Sequence, residues 1–423
     1  MSKNDSLPVK QAAGSSVPWF TIGWVLAGGI VLRLLWIVLC PNSPVSDQVV
    51  YHQTATMIAG GHGYVFPDGS PGGWWPVGYS AVLSVVYGLF GHHYIVAYFL
   101  NCALGAASIL GCYLLGRDLF SRAAGLWAAV GFAAHPTFVL YTTVHGSENA
   151  AIAGEVWFLW LCVFLVKRGD GRQWIGYGVA GLLLGATVYV RATVLLLGVS
   201  VMLLGWLLKR SPKSWLSGTA VVGLVTILTL LPWGFRNQAV FGSFQLLSMN
   251  GGSNLWMGNH EGASGGYSRL PKFVKGMELV DSEALLRSLA VDFILSDPAS
   301  YAGLCARRTV DTLRSDTIGV VWNSAGITAR FGEAMIIPLK MLCTAVHYLI
   351  LTCFLASLVA GLWSRSLRRE HVFLGVVILL VAAPFILIVG GNRYHLPMMP
   401  FLMVWVGEVV ARATGAMRAR RAT

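Results

Sequence analysis

The chain has 423 residues, of which 56% are hydrophobic and only 11% charged, and its formal net charge is +12. Soluble domains carry about 25% charged residues, so this composition excludes a soluble globular protein and points to an all-α, polytopic membrane protein. The basic excess does not read as nucleic-acid binding. Lys and Arg fall in small clusters between apolar runs: Arg117/Arg122, Lys167/Arg168/Arg172, Lys209/Arg210/Lys213, Arg365/Arg368/Arg369, and Arg412 with Arg418, Arg420 and Arg421. That is the pattern of cytoplasmic loops under the positive-inside rule.

Spanning the hydrocarbon takes roughly 20 apolar residues. Candidate spans lie near 20–40, 94–116, 123–142, 148–166, 174–190, 192–208, 215–235, 335–362, 371–390 and 395–411. The first, Phe20 to Cys40, is too long for a signal-peptide core and lacks an A-x-A-like cleavage site, so it reads as a retained anchor. A further apolar stretch, 77–91, is short, follows Trp74-Trp75-Pro76 and ends in Gly91-His92-His93. Left out of the count, it puts every basic cluster on the same side as Lys3 and Lys10. Counted as a span, it reverses all of them from Arg117 onward.

Residues 41–93 also contain no Lys or Arg, as a translocated loop should. The stretch 77–91 is therefore predicted to be a juxtamembrane or re-entrant helix. This gives about ten spans with both termini cytoplasmic. Residues 1–411 then form one transmembrane domain with two extracytoplasmic loops, 41–93 and 236–332, and 412–423 form a basic cytoplasmic tail. The second loop is polar and Gly-rich in its first half. Its second half is helical in pattern, with Asp297-Pro298 as a helix start. No period of 20–50 residues repeats.

Several residues at the outer face could carry chemistry. Asp47 lies just past the first span in Pro44-Val45-Ser46-Asp47-Gln48; it reads as a helix N-cap, as a general base that deprotonates a hydroxyl, or as both. Glu148 opens the fourth span at the same face, with Glu155 at nearly the same azimuth. Arg33 lies inside the first span and calls for a carboxylate partner or a place facing the site. Arg191, Arg236 and Arg393 fall at outer ends of spans, where the guanidinium fork suits phosphate oxygens. His52, His62, His145 and His395 lie near the same face without the i,i+3 or i,i+4 spacing of a metal site. The Cys show no CxxC spacing. No metal and no cofactor are predicted.

With these residues in hand, the sequence resembles the bacterial members of the dolichyl-phosphate-mannose:protein mannosyltransferase and aminoarabinose-transferase group. The longest block is Leu231-Pro232-Trp233-Gly234-Phe235-Arg236-Asn237, continuing through Asn250-Gly251-Gly252-Ser253-Asn254-Leu255-Trp256-Met257-Gly258-Asn259. It is similar to the LPW-x-x-RN…NGG-x-NLW-x-GN signature of those proteins. Arg393-Tyr394-His395-Leu396-Pro397 is similar to their late RY-x-x-P motif, Asp47 stands in the place of their first-loop acid, and Trp74-Trp75-Pro76 resembles the segment after it. The resemblance runs from Arg33 to Pro400. It implies a GT-C bundle of about ten transmembrane helices with juxtamembrane helices in the first outer loop. It also implies transfer of a sugar from a polyprenyl-phosphate donor to a hydroxyl of a glycan, lipid or protein, with inversion.

On that reading Asp47 or Glu148 is the base. Arg33, Arg191, Arg236, Arg393, Tyr394, His395, His62 and Trp75 serve substrate and lipid phosphate. Where the group often has two adjacent first-loop acids, this chain has Asp47-Gln48, which turns attention to Glu148. The chain is short for the group, so a large appended periplasmic domain is not expected. The enzyme is expected in a bacterial plasma membrane with its site on the periplasmic face. The alternative is a transporter or flippase of lipid-linked sugars, which should show interrupted helices in two similar halves; here the polar mass gathers instead in two unequal loops.

Overall fold

The computed structural model describes residues 19–42, 44–168 and 173–422, with backbone alone at 19–20 and 418–422. Lys3, Lys10 and Arg172 of the basic pattern lie outside the described residues. The described chain is built of helices: α1 (Trp19–Leu39), α2 (Asp47–Ala59), α3 (Gly78–Phe90), α4 (Tyr94–Leu119), α5 (Arg122–Ala134) and α6 (Pro136–Leu140). Then come α7 (Glu148–Arg168), α8 (Trp174–Val190), α9 (Ser200–Leu207) and α10 (Pro212–Phe241). The second loop supplies α11 (Gly251–Gly258), α12 (Leu279–Ser296), α13 (Pro298–Leu313), α14 (Ile318–Trp322) and α15 (Ser324–Phe331), and the chain closes with α16 (Ile336–Trp363), α17 (Arg369–Leu387) and α18 (Met399–Ala422).

Among the described residues seven helices are long and apolar enough to cross a membrane, and the pair α5/α6 makes an eighth if its bend is counted within one span. Each of the ten expected spans has a helix at its place, but 174–190 and 192–208 are shorter apolar elements, the latter beginning as a 3-10 stretch over Ala192–Val199. The 56° bend between α5 and α6 falls at His135. The cause is Pro136: it lacks an N–H and pushes the residue before it out of the α region, and His135 is extended at φ −64, ψ 118. The Arg33 guanidinium bonds a carbonyl beside that break, Ala133 O at 3.3 Å, and Gly29 O at 3.0 Å.

The interior is an apolar core shared by α4, α5, α7, α17 and α18. Of the most apolar windows in α7 and α18, 67% is buried, against 22% in α1 and 17% in α16, so α1 and α16 turn most of their apolar surface outward, where lipid replaces water. α3 packs against α2, α4 and α8. Its first residue, Gly78, lets it come close: a β-carbon there would lie 2.4 Å from the Val190 backbone.

The two long loops dock on each other. Met249 N–H donates to Gly73 O at 2.9 Å, Trp74 Nε1 to Ser253 Oγ at 2.9 Å and Arg236 Nη2 to Tyr64 O at 3.2 Å. Asp297 caps α13 as its sequence predicts, accepting from Ser300 N–H at 2.9 Å with Pro298 in the first turn. α18 runs unbroken past Arg412 to Ala422.

Candidate functional site

Four charged side chains meet at the end of the bundle where α7 and α18 begin and α8 and α17 finish. Asp47 is the first residue of α2, not its cap. Ser46 holds the cap position without a side-chain cap bond, at φ 53 and ψ −128, a left-handed conformation that disfavours a β-carbon. The Asp47 carboxylate turns outward from the helix instead: Oδ2 meets Arg393 Nη1 at 3.2 Å and Oδ1 accepts from Trp75 Nε1 at 3.4 Å.

Glu148 opens α7, and its Oε1 pairs with Arg191 Nη2 at 2.8 Å; the same nitrogen reaches Ser147 Oγ at 3.2 Å. Arg191 is the residue at which α8 turns into extended backbone, which frees its side chain to run across to α7. Arg393 comes from the link between α17 and α18 and lies over the rings of Trp322 and Tyr394 at 5.2 and 5.3 Å. Tyr394 is itself stacked on Phe385 at 4.5 Å.

The two ion pairs differ in access. Glu148 and Arg191 side chains are 3% and 13% exposed, whereas Asp47 and Arg393 are 31% and 27% exposed. One pair is sealed and the other is open to a ligand. Burial opposes the charge of Arg393, but Tyr394, Glu148 and Asp47 outweigh it and hold the guanidinium well above its ordinary value. Burial likewise opposes Arg191, and Glu148 raises it. Between the pairs lies Tyr51, one turn after Asp47; burial and the nearby Asp47 and Glu148 push its hydroxyl up to about 12.

The other expected residues spread over wider ground. Trp75 reaches Asp47 directly. Arg236 sits one layer away, on Tyr64 O and over Trp233 at 4.9 Å, and Tyr64 in turn donates to Trp75 O at 2.9 Å. His62 is exposed just beyond α2. His395 is fully buried beside Asp316 at 3.3 Å. Arg33 is fully buried on backbone carbonyls near the α5/α6 bend.

Gln48, in the place of a second first-loop acid, is buried and accepts from His145 N–H at 3.2 Å. His145 adjoins His52, Tyr94 and Tyr98, and burial lowers its imidazole to about 3. Among the described residues no group of three or more His, Cys, Asp or Glu could hold a metal ion.

Sequence reasoning missed Tyr51, Trp322 and Asp316. Only Tyr51 carried a signal, its i+4 spacing from Asp47 on an outer helix.

Residues 75–233 match the family model described as dolichyl-phosphate-mannose-protein mannosyltransferase. No curated protein sequence matches the chain significantly. Among solved structures, the oligosaccharyltransferase AglB of Archaeoglobus fulgidus, in complex with an inhibitory peptide and a dolichol-phosphate, is 15% identical with a TM-score of 0.58; the match covers 96% of this chain and 52% of that one. The apo form of the Archaeoglobus fulgidus oligosaccharyltransferase gives 15% identity and a TM-score of 0.59, over 95% and 51% of the two chains. This chain thus spans about half the length of those enzymes. ArnT from Cupriavidus metallidurans, bound to undecaprenyl phosphate, is 14% identical over 94% and 80% of the two chains, at a TM-score of 0.45 too loose to carry an argument. The fold is an all-helical membrane bundle of the GT-C type, and the chain resembles the protein-mannosyltransferase-like members of that superfamily.

Proposed function

We propose that the chain is an integral membrane glycosyltransferase that moves a sugar from a polyprenyl-phosphate donor to an acceptor hydroxyl. The observation that carries this reading is the open Asp47–Arg393 pair, a part-exposed carboxylate 3.2 Å from a guanidinium, backed by the sealed Glu148–Arg191 pair. Such a site offers a proton acceptor and a phosphate binder side by side. The family match over residues 75–233 supports the reaction class.

The chemistry follows from these charges. The acceptor O–H gives its proton to the Asp47 carboxylate as its oxygen bonds the anomeric carbon. The bond from that carbon to the phosphate oxygen breaks, and the electron pair stays on the leaving phosphate, which goes from one negative charge to two. Arg393 stabilises that growing charge, since its fork has donors to spare beyond the one given to Asp47. A single displacement inverts the anomeric carbon. Phosphate leaves without protonation, so one base suffices. Asp47 is the better base because it is accessible, while Glu148 is committed to holding Arg191. Arg236, next to the Tyr64–Trp75 layer, and Tyr394, under Arg393, border the donor, as does His62 at the loop surface; His395, buried on Asp316, stands behind the motif, and Arg33 supports the helix break below.

We place the site on the extracytoplasmic face of a bacterial plasma membrane. Both termini are then cytoplasmic and residues 412–423 form a basic tail there. Its support is the absence of Lys and Arg from residues 41–93 against the basic clusters at the other ends of the helices. The acceptor is a glycan, lipid or protein at that surface.

The test is mass spectrometry of surface glycans and of the polyprenyl-phosphate pool, with the gene deleted and then complemented. Deletion should remove a sugar mass from a surface product and raise the sugar-loaded lipid. Complementation with wild type should reverse both, and with Asp47→Asn neither. Identical glycan and lipid profiles in all strains would end the reading.

A further inference from the structure

The segment that carries Arg393 is held in a one-sided way. Ile388 O accepts from Arg308 Nη1 at 2.8 Å and from Asn259 Nδ2 at 2.9 Å. Gly390 N–H donates to Gly265 O at 2.9 Å, Asn392 Nδ2 to Thr317 Oγ1 at 3.1 Å, and His395 Nε2 lies 3.3 Å from Asp316 Oδ1. All five partners (259, 265, 308, 316 and 317) belong to the second long loop. Trp322, under the Arg393 guanidinium, belongs to it as well.

Two of these anchors are unusual in kind. Arg308 is fully buried, and its guanidinium bonds Gly258 O, Asn259 Oδ1 and Ile388 O with no carboxylate among its described ion pairs. Asp316 is also fully buried, in the company of His135, His395 and Thr137, whose Oγ1 donates to Asp316 Oδ2 at 2.5 Å. His395 rests on His347 at 4.6 Å, and His347 bonds Leu313 O at 2.8 Å. Buried charges are costly, and apolar groups of the same volume often serve stability as well or better. Their contacts do something an apolar core would not: Arg308 holds the Ile388 carbonyl at one end of the segment, and Asp316 faces the His395 side chain at the other. Close approach is built in too, since a β-carbon on Gly258 would lie 2.0 Å from Ile388 O.

We infer that Arg308 and Asp316 are positioning residues that act through Arg393, so that the second long loop sets where the phosphate-binding guanidinium stands opposite Asp47. The inference rests on the reading of Arg393 as the phosphate binder. It also gives a purpose to the Asn250-to-Asn259 block of the sequence, whose last two residues form part of the clamp.

The test is a double-mutant cycle on the full chain in detergent. Undecaprenyl phosphate is the charged probe and undecaprenol the uncharged one, with binding measured directly and folding followed by thermal unfolding. Arg393→Ala should weaken undecaprenyl phosphate at least about 10-fold, the size of a lost charge-assisted contact. Asp316→Asn should weaken it about 5-fold in the wild-type background, less than about 2-fold in the Arg393→Ala background, and leave undecaprenol unchanged. Equal losses in both backgrounds, or a parallel loss of undecaprenol, would make Asp316 merely structural and overturn the inference. Wild-type binding by Arg393→Ala would instead overturn the phosphate reading beneath it, so the two failures are separable. If Asp316→Asn does not fold, Asn392→Ala, which removes one part-buried hydrogen bond, runs the same cycle with an expected loss of about 3-fold, subject to the same overturning outcomes.

Discussion

The two ends of α7 make an instructive pair. At its first residue, Glu148 joins Asp47, Arg191 and Arg393 in two carboxylate–arginine pairs, one open and one sealed. At its last turn, Lys167 lies 3.6 Å from Glu370 and donates to Asp118 O at 2.7 Å. Two residues before Glu370, Arg368 lies 2.6 Å from a Glu408 oxygen that also takes Arg412 at 2.5 Å, with His371 at 3.8 Å from the other oxygen. The same chemical groups occur at both ends, but the arrangement differs. Glu408 is 6% exposed with both arginines on one oxygen, and its partners tie α17 to α18. Asp47 has one arginine, an indole and 31% of its side chain open. Access, more than the mere presence of buried charge, distinguishes the end proposed as the site.

The largest expected contrast is in turnover. Asp47→Asn keeps the side-chain size and the Trp75 contact but removes the proton acceptor; turnover should fall by roughly 10²–10⁴-fold at unchanged expression. Full activity in Asp47→Asn together with a dead but folded Glu148→Gln would exchange the roles of the two carboxylates. The next contrast is in stability. Glu148→Gln strands the Arg191 charge in a sealed site and should cost about 3 kcal/mol, read by thermal unfolding, with Glu148→Gln/Arg191→Met recovering part of it. A wild-type melting curve for Glu148→Gln would show the pair to be as open as its neighbour.

At the other end, Glu408→Gln weakens two charge-assisted bonds to half-exposed arginines and should cost about 1–2 kcal/mol. Donor KM should stay at the wild-type value, and a shift in it would couple the two ends. The smallest effect concerns Ser46. Its hydroxyl makes no cap bond, so Ser46→Ala should leave stability within about 0.3 kcal/mol. Ser121→Ala removes the bond to Ala124 N–H that caps α5 and should cost about 1 kcal/mol. Equal losses would restore Ser46 as a cap.

How much of this was legible in the sequence varies residue by residue. The helices at all ten expected spans, the start of α13 at Asp297, and the gathering of Asp47, Glu148, Arg191 and Arg393 at one end follow from apolar run length and from alternation of helix direction, both local properties. The role of Asp47 as cap was misjudged because the cap signal depends on one φ/ψ pair, and Ser46 adopts a conformation that no composition rule favours. Arg33 and His395 looked like site residues because an ionisable group in a span calls for a partner. The partner of Arg33 is a carbonyl near the Pro136 bend, and that of His395 is Asp316, nearly eighty positions earlier in the chain.

The sequence by itself determined the class of the molecule: lipid must solvate a chain so poor in charge. It also supplied the short roster of charges on which the proposed chemistry draws. Tertiary structure alone decided the pairings, Asp47 with Arg393 and Glu148 with Arg191, and which pair stays open. It alone assigned the Gly258–Asn259 and Arg308–Asp316 anchors to the Arg393 segment. The reason is distance along the chain. Periodicity and propensity act over a few residues, while the Asp47–Arg393 contact joins positions 346 residues apart, and only the packed bundle brings them within 3.2 Å.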